Sequence, residues 1–550
     1  MSDLLAGAGL LIAAAAAAAA ILLPPGRARS VAMLTALVLF PTLILGDQWH
    51  TRAIADLRDD SARLLALAAL GLLASAALAF TFRRWPLLLP LAIVAALPFR
   101  VPLHAGGDTA NLLVPLYLVI AGGVLATAWT SLATGRGPRK PGEANPAAGG
   151  VGGGGSRTDR GSTAGPPPPT TGPAARFPIV WLPRTLATVV ALYAVQTLYS
   201  DDFSKGLQDV CFFFVPFSLV YALLRDVTWD RRLLTLILWV VGVEAVAFVL
   251  IGSVEYLTRE LFWNDQVIRS NEFHTYFRVN SVFWDPNIYG RYLALVIVIA
   301  MAALLWARER RSLALLAALV AVLWVGLAPT FSQSSFIALL AGLAVLAALR
   351  WSMRWTLAAV ALGAVGAVLV VTLVGGSSTI NFSRINIDTS GRANLVSGGL
   401  HLFAQRPVQG YGSGSFQRAY REHVETDEVP VSVSHTEPIT VAAEQGIIGL
   451  AAYLALLTTA LWTMGSGLLR SRPAGPVVEE AGPAVDPRSV LDPPSPTPPA
   501  GEIAARAAVL AAFVALLVHT MAYAGFYEDP ITWVLLAAGV SLAPAVRDPA

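Results

Sequence analysis

Apolar runs of about twenty residues recur along almost the whole chain, and no other feature limits its fold so strongly. A stretch such as "LLAGAGLLIAAAAAAAAILLPP" has no polar face to turn to water, so it cannot be the surface helix of a soluble domain. The 550 residues are 55% hydrophobic and 13% charged, and the mean hydropathy is +0.63. That is more apolar surface than one aqueous core buries. The fold class expected is all-α, a polytopic transmembrane helix bundle of about 12–15 spans with a large, partly helical extracytoplasmic loop.

Spans are expected near 4–24, 31–47, 63–82, 86–101, 111–132, 179–199, 209–224, 233–256, 288–306, 313–329, 335–349, 355–374, 438–464, 504–525 and 531–546. Alternation tests the list, because every second connection should face the cytoplasm and carry Arg or Lys. "GRARS", "RRW", the linker with Arg136, Arg139 and Lys140, "RDVTWDRR", "RERR", "RWSMRW" and the linker from Arg470 all do. The opposite set is "SDDFSKGLQD", residues 257–287, "PTFSQSS", residues 375–437 and "FYEDP", and it holds most of the acids. The first run has Asp3 and no basic residue before it, whereas Arg27 and Arg29 follow it. It therefore reads as a retained helix with its N-terminus outside, not as a signal peptide.

Five regions follow. Residues 1–133 are N-terminal transmembrane helices, 134–178 a disordered Gly/Pro-rich cytoplasmic linker, and 179–464 a membrane domain with the outer loop 375–437. Residues 465–503 form a second, Pro-rich cytoplasmic linker, and 504–550 the C-terminal helices. The net charge of +3 does not call for a nucleic-acid partner, since the arginines sit in short clusters between apolar runs. Cys211 is the single cysteine, so no internal disulfide is possible.

Polar residues of unusual type gather in three outer segments. In "EFHTYFRVNSVFWDPNIYGRYLALVIV", Pro286 and Asn287 begin an apolar helix and Arg278 precedes it. Such an arginine either snorkels to lipid headgroups or faces a ligand. In "TINFSRINIDTSGRANLVSGGLHLFAQRPVQGYGSGSFQRAYREHV", helical spacing runs over 389–404, with Asp388, Thr389 or Ser390 able to cap it. Arg392 would lie one turn in, either facing an anion with the backbone amides or paired with Asp388. In "SHTEPITVAAEQGIIG", Pro438 sets a helix start near Glu437 and leaves His435 just outside it. A lone interfacial histidine is structural more often than catalytic.

The three together resemble the O-antigen ligase and O-antigen polymerase family of integral membrane glycosyltransferases, over roughly residues 180–465. The shared pattern is Arg278 before Pro286 and Asn287, then Arg392 followed by Pro407, Gly410, Gly412 and Phe416, then His435 followed by Gly446 and Gly449. Thr436 stands where that family usually has Asn, Ser or Gln after the histidine, and Gln333 where an arginine is common.

What the resemblance implies is transfer of a glycan from a polyprenyl (undecaprenyl) diphosphate carrier to an acceptor hydroxyl, in surface polysaccharide biosynthesis. The active site would lie on the outer face of the plasma membrane. A diphosphate leaving group needs positive charge more than a general acid, which Arg278 and Arg392 would supply. His435 would take the acceptor proton, an imidazole ordinarily titrating at about 6.5. Attack opposite the diphosphate would invert the anomeric carbon. Asn287, Lys205, Gly410, Gly412 and Glu444 are candidate substrate-binding residues. The expected partners are a lipid-linked oligosaccharide donor, a glycan or glycolipid acceptor and the bilayer, with no cofactor and no metal.

Rival readings are a metal-assisted transferase using Asp201 and Asp202, a transporter or flippase of lipid-linked sugar, and an interaction role for the linkers. Glu244 lies in a span, where an ionisable side chain is functional by default, although a buried hydrogen bond would also account for it. Polymerase is favoured over ligase, because nothing in the chain is specific to a lipid A acceptor.

Overall fold

The computed structural model describes residues 3–51, 60–105, 108–134, 173–262, 264–273, 276–362, 392–424, 434–468 and 500–543. The expected linkers lie outside the described residues over 135–172 and 469–499, as do 375–391 and 425–433 of the expected loop.

The helices are α1 (Asp3–Leu22), α2 (Arg27–Asp47), α3 (Ser61–Arg84), α4 (Leu88–Ala96), α5 (Val114–Thr134), α6 (Pro173–Thr197), α7 (Phe203–Asp209) and α8 (Val215–Leu224). They continue with α9 (Arg231–Thr258), α10 (Asp265–Phe273), α11 (Pro286–Trp306), α12 (Arg310–Leu327), α13 (Gln333–Arg350), α14 (Arg392–Gln405), α15 (Phe416–His423), α16 (Glu437–Gly465), α17 (Ala500–Thr520) and α18 (Pro530–Ser541). Among the described residues, eleven helices or helix runs are long and apolar enough to cross a membrane. This is a polytopic helical bundle. Its helix starts are marked by short acceptors: Asp60, Asp202, Asp230, Asp285, Ser332 and Asp529 each accept a backbone N–H of the first turn.

The structure corrects some expected spans. In place of a span over 86–101 stands the nine-residue α4, followed by an antiparallel hairpin of β1 (Val101–Ala105) and β2 (Asp108–Leu112). A helix that short rises only about 14 Å, less than half of a hydrocarbon core. The helix expected from 179 begins at Pro173, inside the expected linker. The span expected over 209–224 runs from Phe203 to Leu224, through a π-helical turn at Val210–Phe214. Tyr117 of α5 donates to Phe212 O in that turn at 2.8 Å, so a carbonyl displaced from regular helix pairing gains a partner.

The most enclosed helices are α8, α11 and α18, with Tyr221, Tyr289 and Trp533 fully buried among them. Around them α17 packs on α11 and α13, α16 on α6, and α14 on α16. The first helices are part of the same body: α1 packs on α6 and α8, and α5 on α8.

Polar contacts sort the connections to two ends. At one end Arg29 pairs with Asp226, Arg225 donates to Ile21 O, and Arg506 donates to Ser466 O. Guanidinium groups there close the C-terminal ends of helices, where carbonyls lack partners. At the other end residues 199–204, 278–285, 328–335, 406–416, 434–437 and 521–529 contact one another, and every residue singled out above as a candidate for chemistry belongs to that end or to helices entering it.

Candidate active site

Arg278 is held from both sides. The side chain of Asn271, on α10, donates to Arg278 O at 2.9 Å and accepts from Arg278 N at 3.0 Å. The next turn of chain is pinned by Glu255 of α9, which is fully buried and accepts from Ser281 N at 2.7 Å and Asn280 N at 3.2 Å. The guanidinium itself donates from Nε to Thr330 O at 2.9 Å and from Nη2 to Asn287 Oδ1 at 3.1 Å. Two bonds from different edges fix the plane of the group before any ligand arrives.

Asn287 therefore uses its carbonyl oxygen to orient Arg278. The same oxygen accepts from Ser332 Oγ at 2.9 Å. Since both neighbours can point a donor at it, the amide is oriented with its oxygen inward. Ser332, Ser334 and Ser335 are buried at the start of α13, with Ser332 Oγ 3.2 Å from Ser334 Oγ and 2.7 Å from Ser335 Oγ. Ser334 Oγ lies 3.2 Å from Nε2 of His519, a fully buried histidine near the end of α17.

His435 stands where α16 begins, in the left-handed region at φ 59°. For a β-carbon-bearing residue that conformation is uncommon and needs support from its surroundings. Ser434 Oγ supplies part of it, accepting from Thr436 N at 3.1 Å and lying 2.8 Å from Thr440 Oγ1. Thr436 Oγ1 donates to Met521 O at 3.1 Å, and Glu437 accepts from Gly525 N and Phe526 N. The position at which the chain departs from the family pattern thus ties the histidine's turn to the 521–529 loop. On that loop Tyr523 lies with its ring centre 6.3 Å from His435 and 5.8 Å from His519. Burial, with Asp285 nearby, raises the Tyr523 hydroxyl well above its ordinary value. Glu528, on the same loop, keeps solvent-accessible surface while protein packs around its carboxyl. That burial, with Asp209 nearby, pushes its carboxyl up to about 7.

Arg392 is the first described residue of α14, and the turn and cap expected at 388–391 lie outside the described residues. The helix packs on α16, with Gly399 against Ile439. Arg392 thus lies seven residues, roughly 10 Å of helix, before the contact of α14 with the His435 end of α16.

The remaining candidates form a separate group. α16 breaks at Gly446, where φ is 63° and ψ −161°, and the turn "PVQGYG" fills the break. Tyr411 N donates to Ala443 O at 3.2 Å, Gly412 N to Glu444 O at 2.8 Å, and Ile447 N to Pro407 O at 2.8 Å. A β-carbon at Gly446 would stand 2.2 Å from Val408 O, and one at Gly410 2.2 Å from Glu444 O. Glu444 completes the joint, accepting from Gly414 N at 2.9 Å and Phe416 N at 3.1 Å.

Four of the residues expected to bind substrate have partners within the protein. Glu444 is buried and both its oxygens hold backbone, Gly410 is packed on α16, and Gly412 on Ser200. Lys205 Nζ is 2.5 Å from Asp209 Oδ1, an ion pair within α7. Asp201 pairs with Arg406 at 3.4 Å and Asp202 caps α7, so the two acids serve different partners. Glu244 accepts from Tyr292 at 3.1 Å, the buried hydrogen bond expected of it.

Sequence reasoning passed over Glu255, the buried serines, His519 and Tyr523. His519 and Glu255 carried the available signal, an ionisable side chain inside an apolar run.

No curated protein matches the chain. Residues 318–454 match the family model described as O-antigen ligase. They include the buried serines, Arg392, the Gly-rich turn, His435 and the break at Gly446, and Arg278, which precedes them, is fastened to them through Thr330. Over those residues the chain is similar to the O-antigen ligase family.

Proposed function

We propose that the protein transfers glycan from a polyprenyl diphosphate carrier to an acceptor hydroxyl at the outer face of the plasma membrane, building a surface polysaccharide. The observation that carries this reading is Arg278, locked by Thr330 and Asn287 at the end of the bundle that also holds His435 and the start of α14. A preset guanidinium stabilises the charge that develops on a departing diphosphate without a reorganisation cost. Arg392, on α14, adds a second cation, and the sequence expectation of a helix start just before it would give an anion the first backbone amides as well.

In the reaction His435 takes the proton of the acceptor hydroxyl as its oxygen attacks the anomeric carbon. The carbon–oxygen bond to the diphosphate breaks on the opposite side, and the anomeric configuration inverts. The protein's own side chains are sufficient for these steps, since a diphosphate leaves without protonation.

The break in α16 invites comparison with the interrupted helices of transporters, which leave backbone groups to bind substrate or ion. Here the Gly-rich turn takes up the groups at the break, which favours the enzyme. Loss of transfer in His435→Ala, Arg278→Ala and Arg392→Ala, measured in cells on the surface glycan, tests the assignment. Normal transfer in His435→Ala would remove the base. Longer chains still on the carrier identify a polymerase, the favoured alternative, and glycan moved to a new acceptor identifies a ligase.

A further inference from the structure

Between Arg278 and His435 runs a line of polar side chains to which the chemistry above assigns no role. Its direction can be worked out from the donors. Arg278 Nη2 can only donate, so Asn287 presents Oδ1 to it, and Ser332 Oγ donates to the same oxygen. With its one proton committed, Ser332 can only accept from Ser334. With Ser334 directed at Ser332, its lone pairs face His519, and Nε2 carries the hydrogen in that arrangement. His519 is fully buried, and the next ring along is Tyr523, which is also the ring beside His435.

We propose that His519 is a positioning residue for His435, acting through Tyr523, and that it is itself oriented from Arg278 through Asn287, Ser332 and Ser334. The consequence is that the cationic arm and the imidazole arm of the site are built as one piece: what fixes Arg278 also fixes the face that His435 packs on. The charged and titratable groups close to Tyr523 are Asp285, Arg291, Arg100 and Glu528, and Glu437 lies beside the histidine's turn. This inference rests on the proposed role of His435, so its test includes a measurement that needs no substrate.

The full-length protein in detergent is labelled with diethyl pyrocarbonate, which reacts with neutral imidazole, and modification of His435 is followed by peptide mass spectrometry from pH 5 to 9. His519→Leu removes the bond to Ser334, and His519→Gln keeps a side-chain amide able to donate to it. The expected result is at least a threefold change in the His435 labelling rate in His519→Leu, with the wild-type profile largely restored in His519→Gln. Transfer should fall at least tenfold in kcat in His519→Leu, with donor KM within twofold. Should His519→Leu not fold, Ser334→Ala serves, with the same sign and a smaller change. A His435 profile unmoved in folded His519→Leu or Ser334→Ala overturns the proposal, and so does His519→Gln behaving like His519→Leu. Transfer that survives in His435→Ala would instead remove the role assigned to His435, while the labelling result still decides whether the network sets its environment.

Discussion

Two groups of motif residues lie at the same end of the bundle and do different work. Around Glu444, polar groups close on one another: its carboxylate holds two amides of the Gly-rich turn, and the turn's other amides hold carbonyls at the break in α16. Around Arg278 and His435, side chains are held from behind, by Asn287 and Thr330 in one case and by Ser434 and Tyr523 in the other. The first group is a joint and the second the proposed site. Residues that recur together in one family pattern need not all touch its substrate.

Substitutions should separate the two. Arg278→Ala and His435→Ala are expected to lower transfer by about 100-fold or more while the melting temperature stays within a few degrees of wild type, as for loss of a preset donor or a general base. Equal damage to folding would break the comparison. At the joint, Gly446→Ala and Gly410→Ala add a β-carbon 2.2 Å from a backbone oxygen at a left-handed φ. A loss of about 2–3 kcal/mol or more is expected, read as a lower melting temperature and poorer recovery of monodisperse protein.

Glu444→Gln turns an acceptor toward amide hydrogens into a donor on one side, for a cost of about 1–3 kcal/mol, with residual activity per folded molecule close to wild type. Lost activity in fully folded Glu444→Gln would move that residue from the joint to the site. Thr436→Val removes the bond to Met521 O and should cost about 1 kcal/mol. The smallest effect concerns pH. Burial raises the Glu528 carboxyl to about 7, above its ordinary value, so its contribution to stability is full at low pH and is lost as pH rises through 7. Glu528→Gln should therefore gain in melting temperature relative to wild type at pH 8 compared with pH 5, and the absence of such a difference would show that the surrounding protein leaves its carboxyl unperturbed.

The helices were legible because their signals are local or periodic. "DPN" opens α11 with an aspartate cap and a first-turn proline, and "EP" opens α16, as the residues alone suggest. The short α4 was not legible, because an apolar run of nine residues ending before Pro98 reads like part of a span until its length is seen. Arg278, Arg392 and His435 were found through a shared pattern. Glu255 and Tyr523 had no such pattern to reveal them, since each matters through a neighbour 25 or more residues distant, Ser281 for the one and His435 for the other.

By itself, then, the sequence determined a membrane bundle, the starts of its helices and the three segments in which charge gathers, since hydrophobic length and capping act within a few turns of chain. Only the tertiary structure decided that Glu444 and the glycines close a broken helix and that Asn287 faces Arg278. It alone brought Ser334 to His519 and set Tyr523 beside both His519 and His435. Those outcomes depend on which donors meet which acceptors across contacts such as Ser334 to His519, 185 residues apart, and no local preference encodes such a meeting.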